Sequence, residues 1–276
     1  MDLKKGRWPE GIQSAACLAF DYDAETLWIS RNEENLKRPV TLSQGTFASK
    51  VAVPKILDLL RKYQIKATFF IPAWVIERNQ GLTKEIFAEG HEIAHHGFRH
   101  EWPDMTDPNK EEELLLKSME IIEKTIGQRP FGYRSPAGEY TPSTLSLLNK
   151  HGFAYSSTMM DDIAPYKHSI NGVKTNLVEL PVHWSIDDAP YFLYSLRPPV
   201  SRMTITPNEF LEIFQGAFLD YYEWGGCFTT MLHPQVIGRP GRFRILEEFI
   251  RFVKGLSGVW MTRCIDVAQH WQKNGD

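Results

Sequence analysis

Strand-like and helix-like segments alternate along almost the whole chain, and this alternation limits the possible folds more than any other feature. The strand patterns are short, apolar and rich in β-branched or aromatic residues, as in KATFFIP at Lys66–Pro72. Helical patterns with end signals separate them: Ser49–Gln64, Asn109–Gly127, Thr141–Gly152 with Thr141 as its N-cap, and a Thr206-capped helix that stops at Gly225. This βαβα order predicts a mostly parallel α/β sheet, open or closed into a barrel.

Composition removes several classes of protein. The chain has 276 residues, and 31 basic against 34 acidic side chains give a net charge of −3, without the basic surplus of a nucleic-acid binder. Three cysteines are too few for a disulfide framework. The longest apolar run, Ala67–Ile76, is about half the roughly 20 residues of a membrane span. No apolar stretch follows Lys4 and Lys5 as in a signal peptide, so we expect a cytoplasmic protein.

Polar side chains follow five of the predicted strands, at the point where each strand ends. In parallel α/β folds, the carboxyl ends of the strands meet at one edge, and sites form there. One such cluster alone would mean little, but five in chain order predict a functional site. The clusters are Asp21-Tyr22-Asp23, His96–His100, Arg134-Ser135-Pro136, His183–Asp188 and His233-Pro234.

Two of these clusters have the residue types of a metal site. His96 and His100 are four residues apart, so one helical turn would aim both rings at one point. A carboxylate from another strand would complete a two-histidine, one-carboxylate site, which suits zinc or non-haem iron. Asp21 and Asp23 project to the same side of a strand, so one could bind metal while the other acts as a base.

A second histidine pair spells a metalloprotease motif. His91-Glu92-Ile93-Ala94-His95 matches H-E-x-x-H, which binds zinc only on a continuous helix. Gly90 precedes the motif, and the local pattern is that of a short buried strand. We therefore predict structural roles for both histidines, one partly exposed and the other hydrogen-bonded beneath the site.

The stretch Ala24–Thr46 is the one long segment without a clear pattern, and we interpret it as a lid. Aromatic residues make up 12% of the chain. They suggest an aromatic-lined cleft, with Trp28, Trp74, Trp102 and Trp184 as candidates.

Taken in order, the motifs resemble the polysaccharide deacetylase family, the NodB-homology domain of carbohydrate esterase family four. The matching elements are FDYDAE at 20–25, HGFRH at 96–100, YRSPAGE at 133–139, HWSIDD at 183–188 and MLHP at 231–234. They extend over nearly the whole chain, so the resemblance implies one domain over residues 1–276. The implied fold is α/β, a distorted (β/α)7 barrel with its site at the strand ends.

The resemblance also implies roles for individual residues. Asp23, His96 and His100 would hold a divalent metal, zinc first among the candidates, and Asp21 would be the general base. Arg134 would pair with Asp21, and His233 would be the general acid. The implied substrate-side residues are Pro136, Trp184, Asp187 and Asp188, with Asp187 or Asp188 also steadying His233. The implied activity is hydrolysis of a non-peptide carbon–nitrogen bond.

Departures from the usual motifs leave the substrate open. Tyr22 separates two aspartates that are commonly adjacent, Gly97 replaces a serine or threonine, and the fourth motif is rearranged around Trp184. These features resemble a branch with intracellular peptidoglycan deacetylase-like proteins, cyclic imide hydrolases and metal-independent allantoinase-like enzymes. The last lack the second histidine, whereas this chain keeps His100.

Three function classes therefore remain. The leading hypothesis is a metal-dependent hydrolase, either a deacetylase of N-acetyl sugars or a ring-opening enzyme for a small cyclic imide or ureide. The others are an Fe(II) oxygenase and a non-catalytic saccharide-binding module. We expect a small-molecule or saccharide amide as partner, no nucleic acid and no membrane, and the apolar-rich chain is compatible with a homo-oligomer.

Overall fold

The computed structural model describes residues 8–194 and 205–275, and its strands form two sheets. One sheet has the order β10-β1-β9, and the other has the order β2-β3-β4-β5-β6-β8-β7. Only β7 runs antiparallel to its neighbour. The strands are β1 (Ser14–Cys17), β2 (Ala19–Asp21), β3 (Thr68–Ile71), β4 (Glu92–His95), β5 (Gly132–Tyr133), β6 (Tyr155–Ser156), β7 (Tyr166–Ile170), β8 (Val173–Glu179), β9 (Cys227–Thr229) and β10 (Val259–Met261).

The two sheets join into one distorted barrel. Only Leu18 separates β1 from β2, so one stretch of chain belongs to both sheets. β1 pairs in parallel with β9 and β10, while β2 pairs in parallel with β3. Isolated parallel bridges, Phe20 to Leu232 and Asp187 to Met231, connect the remaining edges. The parallel positions are therefore β1/β2, β3, β4, β5, β6, β8 and β9, with β10 as a further parallel strand beside β1, and the predicted α/β fold with a distorted barrel is confirmed.

Helices surround the barrel, and the longer ones begin and end where the sequence predicts. The Asp107 side chain accepts from the backbone of Lys110, and Thr206 forms a capping box with Glu209. The helices are α1 (Thr26–Ile29), α2 (Pro39–Phe47), α3 (Val53–Tyr63), α4 (Ala73–Arg78), α5 (Gln80–Ala88), α6 (Pro108–Ile126), α7 (Thr144–Lys150), α8 (Ala189–Phe192), α9 (Pro207–Trp224), α10 (Pro234–Ile237), α11 (Phe243–Lys254) and α12 (Cys264–Asn274).

The region predicted as an irregular lid is instead an ordered cap. It contains α1, a 3-10 turn at Glu33–Lys37 and α2, and a π-helical turn at Ala48–Ala52 leads into α3. A Cβ on Gly45 would lie 2.4 Å from the backbone nitrogen of Glu25, so α2 packs directly on the backbone behind β2. Leu27 and Trp28 of α1 are buried in the main apolar core, and Nη2 of Arg239 donates to the carbonyl oxygen of Gln44 at 3.2 Å, so the cap is fastened to the barrel.

Helix α7 begins later than predicted. It starts at Thr144, after Ser143, and not directly after Thr141. The Thr141 hydroxyl donates instead to Glu111 on α6 at 2.6 Å, which is a contact between distant parts of the chain. No helix within the described ranges is both long enough and apolar enough to cross a bilayer.

Candidate active site

Asp21 is the last residue of β2, and Arg134 fixes its carboxylate. Nη1 of Arg134 donates to Oδ1 of Asp21 at 2.6 Å, and both side chains are buried. The other guanidinium nitrogens donate to Ser157, Nε to its carbonyl at 3.1 Å and Nη2 to its hydroxyl at 2.9 Å. The guanidinium carbon also lies 4.1 Å from the centre of the Phe70 ring. The predicted Asp21–Arg134 pair therefore exists, and Ser157, which the sequence analysis missed, holds it in place.

Asp23 lies two residues after Asp21 in the chain, and its carboxylate faces His96 and His100. Nε2 of His96 lies 3.3 Å from Oδ1 of Asp23, and Nε2 of His100 lies 3.7 Å from Oδ2. All three residues are buried, and their potential ligand atoms lie within 4.8 Å of one another. Burial raises the pKa of the Asp23 carboxyl, but the facing histidines, His100 foremost, lower it to about 2. The carboxylate is thus ionised at every physiological pH.

These three residues fit a divalent metal ion. Oδ1 of Asp23 is fully buried and accepts no hydrogen bond of good geometry. Nδ1 of His96 lies 2.9 Å from the carbonyl oxygen of Arg134, so the proton belongs there and Nε2 keeps a free lone pair. Two imidazole nitrogens and one carboxylate are a common donor set for zinc and for non-haem iron.

The loop His96–His100 brings its two histidines together without the helical turn that the sequence predicted. Gly97 has φ +72° and His100 has φ +59°, so neither residue is in a right-handed helical conformation. A Cβ on Gly97 would lie 2.7 Å from Cγ of Pro136. The Glu101 carboxylate accepts from the backbone nitrogens of Phe98 and Arg99, which closes the loop. Glu101 is a supporting residue that the motif analysis did not identify.

His233 follows β9 and faces the same space. Its Nδ1 lies 2.7 Å from Oδ1 of Asp188 and 3.4 Å from Oδ1 of Asp187, while its Nε2 lies 3.6 Å from Oδ2 of Asp23. Burial lowers the pKa of His233, but the two aspartates raise it well above its ordinary value. Burial also raises the pKa of the Asp187 carboxyl, to about 7, against the lowering effect of His233. His233 is therefore held as a protonated side chain next to the candidate metal ligands.

A cavity of about 260 Å³ opens over these groups. Asp21, His96, His100, Arg134 and His233 line it, together with two of the predicted substrate-side residues, Trp184 and Asp187. Asp188 lies behind His233 and is fully buried. Pro136 lies against Gly97 and lines a neighbouring cavity of about 150 Å³. Trp102 lines both cavities, whereas the described positions of Trp28 and Trp74 are outside them.

The metalloprotease-like pair, His91 and His95, has no part in this site. The motif lies on strand β4 and the residue before it, not on a helix. Both histidines are buried, so the prediction that one is partly exposed is wrong. Nδ1 of His91 accepts from the backbone of Ala67, and Nδ1 of His95 accepts from the backbone of Gly97, each at 3.1 Å. Both rings have structural roles.

Known proteins share this barrel and its motifs. The family model described as polysaccharide deacetylase matches residues 39–156. A peptidoglycan deacetylase of Helicobacter pylori is 32% identical, over 88% of this chain and 91% of that protein. A solved structure from Mycobacterium smegmatis, assigned to the polysaccharide deacetylases, is 33% identical with a TM-score of 0.91, over 95% of this chain and 91% of the other. An allantoinase structure is 25% identical with a TM-score of 0.83, over 97% and 93%.

The barrel and its strand-end site define a hydrolase of carbon–nitrogen bonds other than peptide bonds. With a relative of 32% identity along almost its full length, the chain belongs to the polysaccharide deacetylase family, as its motifs predicted.

Proposed function

We propose that the protein is a metal-dependent amide hydrolase that removes an acetyl group from an amino sugar. The observation that carries this proposal is the position of three groups over one cavity. These groups are the carboxylate Asp21, the candidate ligand set of Asp23, His96 and His100, and the protonated His233. Amide hydrolysis needs a base for water, a polarised carbonyl and an acid for the leaving nitrogen, and each need has a matching residue.

The candidate ligands are Asp23, His96 and His100, and zinc is the ion that we propose. When bound, a divalent ion lowers the pKa of water and polarises the amide carbonyl. Asp21 accepts the proton that the attacking water loses. Arg134 orients Asp21 through the hydrogen bond from its Nη1 to Oδ1 of the carboxylate, at 2.6 Å.

His233 donates a proton to the departing nitrogen. An amide nitrogen leaves as an amine only when it is protonated, so the acid must carry its proton near neutral pH. Asp188 accepts from Nδ1 at 2.7 Å, which fixes the ring and directs Nε2 toward the cavity. Asp187 adds a second carboxyl beside the same ring. Trp184 covers Gly138 at the cavity wall, where a sugar ring can stack on it.

A second candidate function is the opening of a small cyclic imide or ureide. The same chemistry serves it, because a ring amide also presents a carbonyl bonded to nitrogen. The similarity to an allantoinase along 97% of this chain favours it, and so does the ordered cap beside a cavity of about 260 Å³. We propose further that the chain is one domain over residues 1–276 and acts in the cytoplasm.

The test is an assay of N-acetylglucosamine oligomers against succinimide and dihydrouracil, with zinc, cobalt or manganese added. Hydrolysis of the oligomers supports the first candidate and ring opening supports the second, whereas no turnover of any substrate contradicts both. Asp21→Asn should lower kcat at least ~100-fold, the usual cost of losing a general base. Asp58→Asn, at an exposed carboxylate of α3, is the matched control and should change nothing. A non-catalytic binding module would bind the oligomers equally in both variants.

A further inference from the structure

Arg31 is a charged residue in the candidate active site for which the proposed chemistry has no role. It follows α1 and lines the same cavity as Asp21 and His233, while its side chain remains exposed to solvent. Partial burial lowers the pKa of its guanidinium and the nearby Asp23 raises it, yet arginine stays protonated in proteins. The cavity therefore has a permanent positive charge at the cap side.

The other charges around the cavity have partners. Arg134 is paired with Asp21 at 2.6 Å, and His233 is paired with Asp188 at 2.7 Å. The Asp23 carboxylate faces His96 and His100, and a bound divalent ion would neutralise more of its charge. The two carboxylates of the cavity wall, Asp21 and Asp187, thus face Arg134 and His233, and neither forms an ion pair with Arg31.

Two acidic residues of the cap, Glu33 and Glu34, also have ion-pair partners. Glu33 pairs with Arg99 and Glu34 pairs with Arg38, each at 3.3 Å. Arg31 has no hydrogen bond and no ion pair with any residue in the ranges 8–194 and 205–275. Of the two arginines within the cap, Arg38 has a carboxylate partner, and Arg31, which has none, is the one that lines the cavity.

We propose that Arg31 binds an anionic group of the substrate, so that the preferred substrates are amides that carry a carboxylate. This inference rests on the proposed hydrolase function. A guanidinium presents parallel N–H donors that match the two oxygens of a carboxylate, and such charge-assisted pairs are among the stronger hydrogen bonds. The scissile amide would lie between Asp21 and His233, with the carboxylate toward the cap. The apolar wall at Trp102 and Trp184 would cover the uncharged part.

The first test compares matched substrates that differ in a carboxylate. The pairs are N-acetylmuramic acid against its methyl ester, and dihydroorotate against dihydrouracil. For whichever pair is hydrolysed, we expect kcat/KM to be about 10- to 100-fold higher for the acid, the usual range for a hydrogen bond to a charged group. Arg31→Gln should remove this preference. Arg99→Gln, which removes a paired arginine beside the cap, should keep it.

The second test measures binding and does not depend on turnover. Zinc-loaded Asp21→Asn protein should bind N-acetylmuramic acid or dihydroorotate at least about 10-fold more tightly than the neutral partner. The difference should disappear when Arg31→Gln is added, and it should shrink at high salt. Equal binding of acid and neutral partner, or a preference that survives Arg31→Gln, overturns the role of Arg31. If wild type hydrolyses none of these four compounds and neither the N-acetylglucosamine oligomers nor succinimide, the hydrolase proposal fails, and this binding measurement still decides on Arg31.

Discussion

Two histidine pairs lie within one ten-residue stretch, and they differ in the groups that surround them. His91 and His95 are four residues apart, as are His96 and His100, and all four side chains are buried. The first pair lies on and before β4, with Nδ1 of each ring bonded to a backbone N–H. The second pair lies on a loop past the strand end and faces Asp23.

The contrast shows that residue spacing alone does not make a metal site. Burial among apolar neighbours lowers the pKa of His91 to about 4 and that of His95 to about 3, so both rings are neutral. No carboxylate faces His95, whereas the Asp23 carboxylate is the common partner of the second pair. The backbone conformation after β4, more than the sequence motif, selects the pair that can bind a metal.

The largest expected difference between the pairs is in metal content. His100→Ala should lose stoichiometric zinc and lower kcat/KM by at least about 1,000-fold, because a catalytic metal supplies several kcal/mol. Elemental analysis and the substrate assay check this. His91→Gln, which keeps an acceptor for the Ala67 N–H, should retain full zinc. If His91→Gln loses the metal as well, the division between the pairs is wrong.

A smaller difference is expected in the pH dependence of stability, where His91 and its neighbour Glu92 act in opposite directions. His91 has a folded pKa of about 4, below its unfolded value of about 6.5. The unfolded chain therefore binds more protons between these values, so His91 makes the free energy of unfolding fall as the pH falls. Lys66 and Arg263 face the ring and add to the lowering, while Glu89 opposes it.

Burial raises the pKa of Glu92 to about 7, against hydrogen bonds from Thr68, Ile265 and Tyr155 that favour its ionised form. The folded chain therefore binds more protons between the unfolded value of about 4.3 and pH 7, so Glu92 makes the free energy of unfolding fall as the pH rises. Glu92→Gln should gain stability relative to wild type toward pH 8, by up to about 3 kcal/mol. His91→Gln should instead gain toward pH 4.

Denaturant unfolding at several pH values measures both variants. If the stability of both variants relative to wild type changed with pH in the same direction, the opposite protonation of His91 and Glu92 would be contradicted.

The smallest expected effect concerns Gly97, in the loop between the two histidines of the second pair. Gly97→Ala should cost about 1–2 kcal/mol, because φ +72° is unfavourable for a residue with a Cβ and Pro136 lies in its way. His96 and His100 flank this residue on the loop, and the Gly97 N–H also donates to His95, so zinc affinity should fall with stability. Gly81→Ala within α5 is the matched control, since its Cβ would meet open space. The control should be neutral or stabilising, by up to about 1 kcal/mol. Equal behaviour of the two variants would show that the turn is not required.

Local signals predicted the parts of the structure that local physics determines. The strand patterns, the Thr206 cap of α9 and the end of α6 near Gly127 depend on neighbouring residues, and all are found as predicted. The candidate site could be located because parallel strand ends share one edge. For this reason Asp21, Arg134 and His233 meet although they are distant in sequence.

The features that the sequence did not reveal depend on distant contacts. The cap between Ala24 and Thr46 is ordered because Gly45 packs on the backbone at Glu25 and because Arg239, 195 residues after Gln44, donates to the Gln44 carbonyl, and no local pattern reports these contacts. Thr141 has a typical helix-start pattern and its hydroxyl accepts from the backbone nitrogen of Ser143, yet α7 begins only at Thr144, and the same hydroxyl donates to Glu111 on α6. The unpaired state of Arg31 could not be predicted either, because it depends on which carboxylates other arginines have already bound.

The place of β1 between β9 and β10 also has a consequence for biosynthesis. Ribosomes deliver the amino-terminal part first, so Asp23, His96 and His100 all emerge early. The strands that flank β1 come last, with β10 ending at Met261. The barrel cannot close until nearly the entire chain has been made. A chain interrupted between His100 and His233 therefore contains Asp23, His96 and His100 but lacks both His233 and the strands that flank β1.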